Sequence, residues 1–488
     1  MNNLEDFDRI AFLDLLFKPK NVLIYDAKPK ISFFVDGFIR QGYNLENLYL
    51  VSTKVQELLG IKCLKSVDNV PVDSIDLVIL SVRRDDLIKE LSNLLSRKII
   101  KFIHIFTAGT GEFDEKGAKI EREIKEILKA YPSTRSIGPN CMGLYCPHGK
   151  IAYYSSFPIE SGNIALIFQS GDLHSKMIKF GSRRYNLRFS KCVSIGNCID
   201  IQISELLQYL NKDIETQVIC VYFEGLPVLY KNEGKRLLNA LKSMDKLVLF
   251  MRGGRTERGQ AAVLTHTGSL ASKGDIWKAI FKQTPIIEVP PSLDELIDYT
   301  YLFSIHTQNY KERNKEVEYP KSKNVLVVLW SGGFGILATD ILTELGLNLP
   351  IISGKKLDAL KQIYPIKIGS LSNPLDMPWI ISSKVYLEVC KAAIDQTIDL
   401  VLVVTDAWKD LDDDRFNNFY SNLLGIKKHV ESLEKIVVII LPQYPSESRN
   451  ILSNKLKNDG FFVYESIESA AKSFLKLYEY GKKRKVAL

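Results

Sequence analysis

One recurring pattern limits the folds open to this chain: a short apolar run, then a tight turn, then a segment with helical periodicity. Asn21–Tyr25, Leu48–Ser52, Asp76–Val82 and Phe102–Thr107 are such runs in the first third. Gly162–Phe168, Val218–Phe223 and Leu247–Met251 follow in the middle, and Asn324–Trp330, Leu400–Thr405 and Lys435–Leu441 in the last third. Helical segments separate them, among them Ile31–Gln41, Asp85–Leu95, Leu173–Phe180 and Ile203–Leu210. Strands that alternate with helices predict parallel sheets with right-handed crossovers. With 488 residues the chain is too long for one core, and three α/β domains are expected, each a doubly wound parallel sheet. The boundaries are placed at residues 1–148, 149–308 and 320–488, with Pro147, Gly149, Pro158 and Gly162 in the first linker and the charged stretch 305–322 in the second.

Composition narrows the function classes. Hydrophobic residues make up 46% and charged residues 25%, a soluble globular balance. The net charge of +8 is spread along the chain apart from Lys482–Lys485, read as a solvated tail, and no nucleic-acid motif accompanies it. The longest apolar stretch, Val325–Thr339, is short for a membrane span. Seven scattered cysteines form no C-x-x-C pair, so no metal site is expected, and a reducing cytoplasm is the expected compartment.

Ligands on such sheets bind at the carboxyl ends of the strands. Gln169-Ser170-Gly171 joins a strand to a helix, which makes an anion site from free N–H groups and the positive end of a helix dipole. Asp172 beside it either stabilises the first helical turn or competes with a phosphate for the same donors. His174, one turn in, reads as a partly exposed polar residue. Glu224 closes a parallel strand and is aimed at the ligand crevice. Arg252–Gly268 holds four glycines, three arginines and His266 between two threonines, a loop suited to phosphate, with a helix expected from Ser269. On local features His266 is either a hydrogen-bonded loop histidine or a nucleophile. Ser331-Gly332-Gly333 either binds an anion or lets strand and helix pack closely.

The run Arg252-Gly253-Gly254-Arg255 through Gly259-Gln260-Ala261-Ala262, followed by His266-Thr267-Gly268-Ser269-Leu270-Ala271, resembles the phosphohistidine segment of the ADP-forming (NDP-forming) acyl-CoA synthetases. These are relatives of the succinyl-CoA synthetase alpha subunit. Phe17–Val22, Thr107-Ala108-Gly109, Gly138-Pro139-Asn140, Gly196-Asn197-Cys198-Ile199-Asp200 and Asn373-Pro374-Leu375-Asp376 resemble the family as well. The resemblance implies a Rossmann-like CoA-binding domain followed by two flavodoxin-like domains. It implies CoA binding by Asp26, Ala27, Lys28, Thr107, Ala108, Gly109, Pro139 and Asn140. It implies catalysis by His266, which is phosphorylated during turnover, with Glu224 steadying its imidazole. Gln169, Ser170, Gly171, Thr267 and Gly268 are the implied phosphate donors. The implied reaction converts acyl-CoA, phosphate and ADP into acid, CoA and ATP. No stretch looks like an ATP-grasp domain, so ADP/ATP with Mg is expected on a beta-type ATP-grasp partner within a hetero-oligomer.

Two departures are visible. The family's small-residue turn after the first strand reads Tyr25-Asp26-Ala27-Lys28-Pro29 here, with Lys28 and Lys30 as the groups to offset Asp26, and Asp172 stands where a small apolar residue is usual. They motivate the alternative, a catalytically impaired paralogue acting as a regulatory or assembly subunit.

Overall fold

The computed structural model describes residues 11–227, 232–267, 274–365, 368–406, 413–442 and 447–487, and of residues 264–267 and 485–487 the backbone alone. The chain forms two compact units, Met1–Ser304 and Ile305–Leu488.

The first unit carries two sheets. The strands of the first are β1 (Val22–Tyr25), β2 (Leu48–Val51), β3 (Glu57–Leu58), β4 (Ile61–Leu64), β5 (Ser74–Leu80), β6 (Ile99–Ile105) and β7 (Arg135–Ile137). Their order is β3-β4-β2-β1-β5-β6-β7, all parallel except the β3–β4 edge pair. The second sheet has β8 (Gly143–Tyr145), β9 (Ser161–Phe168), β10 (Phe189–Ser194), β11 (Val218–Phe223), β12 (Leu247–Arg252) and β13 (Ile287–Val289). Its order is β13-β12-β11-β9-β10-β8, parallel apart from β8. β8 thus precedes the expected linker in the chain yet pairs with β10.

Near-continuous burial explains the parallel pairing. β9, β11 and β12 are apolar on both faces, which only strands covered by helices on both sides tolerate. The covering helices of the first sheet are α1 (Ser32–Arg40), α2 (Leu87–Arg97) and α3 (Glu115–Ala130). In α2, Leu87, Leu91, Leu94 and Leu95 recur at helical spacing and are buried, each stabilising the fold by roughly 1.5–3 kcal/mol. The second sheet is flanked by α4 (Gly171–Tyr185), α5 (Ile203–Lys212), α6 (Glu233–Lys242), α7 (Glu257–Thr267), α8 (Gly274–Gln283) and α9 (Leu293–Glu312).

A buried ion network joins the two sheets of this unit. Arg135 on β7 places Nε 3.0 Å from both oxygens of Asp200, and Nη2 3.0 Å from Glu205 Oε2 on α5. Gly196, at φ +60°, lies so close to the 139–140 backbone that a Cβ there would sit 2.2 Å from the Pro139 carbonyl oxygen. The loop after β10 is therefore pressed against the turn after β7.

The second unit has one sheet, β14 (Val325–Leu329), β15 (Leu375–Asp376), β16 (Leu400–Val404), β17 (Ile436–Ile440) and β18 (Phe462–Tyr464), parallel throughout in the order β15-β14-β16-β17-β18. Its helices include α10 (Gly332–Glu344), which follows β14 directly. The expected α/β class with three doubly wound sheets is the one observed. No described helix is long and apolar enough to cross a membrane, and no described group of side chains has the makings of a metal site.

Candidate functional site

A cavity of about 590 Å³ opens at the carboxyl ends of the strands of both sheets of the first unit. Its walls come from the turn after β1, the loops after β5, β6 and β7, the start of α4, the loop after β10 and the end of β11. Of the residues singled out in the sequence, Lys28, Lys30, Thr107, Ala108, Asn140, Gln169, Ser170, Gly171, Asp172 and Glu224 line it.

Glu224 is buried and held by its own main chain. The Gln169 side chain accepts from the Glu224 N–H at 2.5 Å and the Gly225 N–H at 3.2 Å, and donates to the Gly225 carbonyl at 3.0 Å. Gln169 thus couples the end of β9 to the end of β11. Tyr222 is hydrogen-bonded to Glu224; burial first, then that carboxylate, pushes the phenol up. Ser170 caps α4, accepting from the Leu173 N–H at 3.3 Å. Gly171 is needed on steric grounds, since a Cβ there would lie 2.6 Å from Met142 Cγ. Asp172, in the first turn of α4, lines the cavity as well, but it is exposed and paired with Lys176 Nζ at 2.6 Å, which offsets its charge.

The turn after β1 differs from the family pattern yet is neutralised. Asp26 adopts φ +62° and binds Lys28 Nζ at 2.7 Å and Lys54 Nζ at 2.8 Å. Burial works against its charge, but the two ammonium groups outweigh it and hold the carboxyl below its ordinary range. Lys28 also donates to the Ser81 carbonyl at 2.7 Å. The second counter-charge is Lys54 rather than the expected Lys30, which is exposed and lines the cavity. The Ala27 N–H is spent on the Val51 carbonyl at 2.9 Å, so side chains, not that N–H, face a ligand here. Asp26, Lys54, Lys65 and Arg83 line an adjoining cavity of about 260 Å³ that shares Val82 and Arg83 with the first. Gly109 (φ +82°) and Pro139 lie behind the wall as loop formers.

Two expectations are corrected. His174 is fully buried, not partly exposed: it lies on the face of α4 that packs against β9, with Nδ1 2.5 Å from the Tyr153 hydroxyl, and burial lowers its pKa to about 3. The expected loop leading to His266 is helical from Glu257. Thr256 caps it by accepting from the Gly259 N–H at 3.1 Å, and Gln260-Ala261-Ala262 propagates it. The backbone of His266 and Thr267 therefore belongs to the last turn of α7. Their side chains, Gly268 and the segment from Ser269 lie outside the described residues, and so does the expected pairing of His266 with Glu224.

Sequence reasoning passed over Ser81, Arg83 and Arg84 after β5, while Asn197 after β10, noted as part of a loop resembling the family's, lines the cavity too. The basic pair Arg83-Arg84 at the carboxyl end of a strand was a readable signal. Arg84 donates to the Gly109 carbonyl at 3.0 Å and to Asp114 at 2.9 Å.

Residues 28–147 match the model of a CoA binding domain, and residues 161–303 that of a succinyl-CoA ligase like flavodoxin domain. The alpha subunit of an ADP-forming acetate–CoA ligase II from Pyrococcus furiosus is 27% identical over 478 residues, covering 96% of this chain and 98% of that one. The chain belongs to the ADP-forming acyl-CoA synthetase family. An ADP-forming acetate–CoA ligase from Methanocaldococcus jannaschii, also of this acyl-CoA synthetase type, is 36% identical over 335 residues, 68% of this chain and 44% of that protein. The chain thus spans nearly all of the Pyrococcus subunit and less than half of the Methanocaldococcus enzyme. A dinucleotide forming acetyl-coenzyme A synthetase 1 from Ca. Korarchaeum cryptofilum shares the fold, with a TM-score of 0.77 at 24% identity over 97% of this chain and 98% of that one.

Proposed function

We propose that this chain is the alpha-type subunit of an ADP-forming acyl-CoA synthetase, interconverting acyl-CoA, phosphate and ADP with acid, CoA and ATP. One observation carries the reading: a single cavity collects the implied CoA residues Lys28, Thr107, Ala108 and Asn140 together with Gln169, Ser170, Gly171 and Glu224. The two halves of the chemistry share one chamber. The functional parts are then 1–148, 149–308 and 320–488, β8 being the piece of the first span that completes the second sheet.

Lys28 and Lys54 meet the CoA diphosphate as fixed cations, and the thioester end reaches toward α4. Ser170 and Gly171 present N–H donors and a helix dipole to inorganic phosphate. A phosphate oxygen attacks the thioester carbonyl and CoA leaves as its thiolate, giving an acyl phosphate. A ring nitrogen of His266 then attacks phosphorus, the carboxylate leaves as the acid, and Glu224 holds the other ring nitrogen and steadies the phosphohistidine. Thr267 and Gly268 add donors to the phosphoryl oxygens, where the charge of such transfers accumulates. ADP, with Mg, receives the phosphoryl group on a beta-type ATP-grasp partner of a hetero-oligomer. Seven buried free cysteines suit a reducing cytoplasmic setting. Against the impaired-paralogue alternative stand the two lysines that neutralise Asp26 and the pairing of Asp172, at the cavity wall, with Lys176.

Labelling tests this. Radiolabelled phosphate, acyl-CoA and the chain should give acid-labile protein-bound label, abolished in His266→Ala at unchanged thermal stability. Label that survives in His266→Ala sinks the nucleophile assignment, and no label in the wild type with a beta chain present sinks the reading.

A further inference from the structure

The wall of the cavity around Thr107–Gly109 is backed by two carboxyl groups with no part in the chemistry above. Glu112 lies in the loop after β6, and Glu121 lies on α3. The Gly109 N–H donates to Glu112 Oε1 at 2.6 Å and the Gly111 N–H to Glu121 Oε1 at 3.0 Å, which fixes the loop following Ala108. Thr110 Oγ1 stands 2.8 Å from Glu112 Oε2 and 2.9 Å from Glu121 Oε1. Asn197 Nδ2, from the loop after β10 of the other sheet, stands 2.6 Å and 2.7 Å from the same two oxygens. It is also 3.1 Å from Thr110 Oγ1.

The hydrogens can be counted. The Asn197 amide has two, one for each carboxyl group. The Thr110 hydroxyl has one, yet it contacts both carboxyl oxygens. The second contact is a full two-centre hydrogen bond when that carboxyl group itself carries a proton and donates it to Thr110 Oγ1, and otherwise only one branch of a shared, weaker three-centre bond. Two carboxylates gathered on the same two atoms resist joint ionisation as well. Among the described residues no lysine or arginine nitrogen is within ion-pair distance of either group. Arg84, the nearest candidate on the neighbouring loop, is engaged with the Gly109 carbonyl and Asp114. Burial, the largest influence on Glu121, raises its pKa against the opposing bonds from Asn197, Gly111 and Thr110.

We infer that Glu112 and Glu121 share one proton and act as positioning residues, clamping the Thr107–Gly109 loop of the first sheet to Asn197 of the second so that the CoA-facing wall is preformed. The inference rests on reading that loop as a CoA contact, so its test has two arms. The first arm needs no ligand. The infrared difference spectrum between wild type and Glu121→Gln at neutral pH should show loss of a protonated carboxylic acid C=O band; loss of ionised carboxylate bands alone overturns the shared proton. The second arm is CoA titration of the whole chain. Glu121→Gln, which keeps an acceptor and a donor without charge, should bind CoA within about threefold of wild type, and Glu121→Ala should bind about tenfold more weakly, the worth of one net hydrogen bond. Equal affinity in all three proteins overturns the positioning role, and Glu121→Gln as weak as Glu121→Ala overturns the neutral pair. Failure of the wild type to bind CoA counts against the CoA reading, with the infrared arm still deciding the proton.

Discussion

The two units use the same local device and surround it differently. In the first, β9 runs into Gln169-Ser170-Gly171 and α4; in the second, β14 runs into Trp330-Ser331-Gly332-Gly333 and α10. Both turns open a helix at the carboxyl edge of a parallel sheet. Around Gly171 the one carboxylate in the first turn is paired with Lys176, Ser170 caps the helix, and a cavity lies in front. Around Gly332 the Asp376 carboxylate takes the equivalent ground: a Cβ on Gly332 would be 3.4 Å from Asp376 Oδ2, and Ser331 makes no side-chain cap. Burial raises the pKa of Asp376, as expected for a carboxyl group that no cation pairs with among the described residues. A glycine turn before a helix is an anion site only when the neighbouring charges leave the N–H groups free.

The largest contrast is steric. Gly171→Val should cost about 100-fold in turnover, since its side chain displaces Met142 and shifts the phosphate position by around an ångström. Gly333, where a Cβ meets nothing within 4 Å, should accept alanine with turnover unchanged and up to about 1 kcal/mol of added stability. Steady-state rates and urea midpoints of the two variants check this, and equal losses in both would erase the distinction between the units.

A smaller contrast lies in pH. His104 and His174 are buried in the first unit and His306 in the second, and burial lowers their pKa values to about 4, 3 and 4. Each folded-state value is depressed below the ordinary 6.5, so the neutral ring is favoured in the fold. Its stability contribution is complete above pH 6.5 and is lost as the pH falls toward 4. Each ring should cost about 2 kcal/mol at pH 5 relative to pH 7.5, and the first unit should lose twice what the second loses. Urea unfolding at the two pH values, read from Trp277 in the first unit and Trp330 in the second, measures it. A first unit as acid-resistant as the second contradicts the burial of both its rings.

The smallest effects concern the two carboxylates of the comparison. Asp172→Asn removes an exposed pair and should change stability by no more than about 0.5 kcal/mol. Asp376→Asn should instead stabilise the second unit slightly at neutral pH, because the ionised form is the disfavoured one there. Thermal midpoints at pH 7.5 that fall in Asp376→Asn would show a pairing for that carboxylate.

Much of this was legible in the residues. Apolar runs such as Val218–Phe223 gave strands because burial on both faces leaves no alternation to misread. Gln169-Ser170-Gly171 and Glu224 sit at strand ends, where the parallel sheet itself dictates the crevice. The helix over Glu257–Thr267 was obscured by Gly259 and the glycines that flank it, although Thr256 was a visible cap. The role of Lys54 and the partners of Asn197 were hidden for another reason. Each acts across a fold contact, 28 residues from Asp26 and 85 residues from Glu112, and no local pattern encodes that closeness. His174 looked exposed because helical periodicity does not say which face meets the sheet.

The most direct test of the central claim, that the chamber of the first unit receives CoA, is calorimetric titration of the chain alone with CoA. Lys28 and Lys54 held on Asp26 predict micromolar binding that weakens as salt rises and falls about tenfold in Lys28→Ala. Absence of binding by the wild type, or binding unchanged by salt and by Lys28→Ala, would contradict the account.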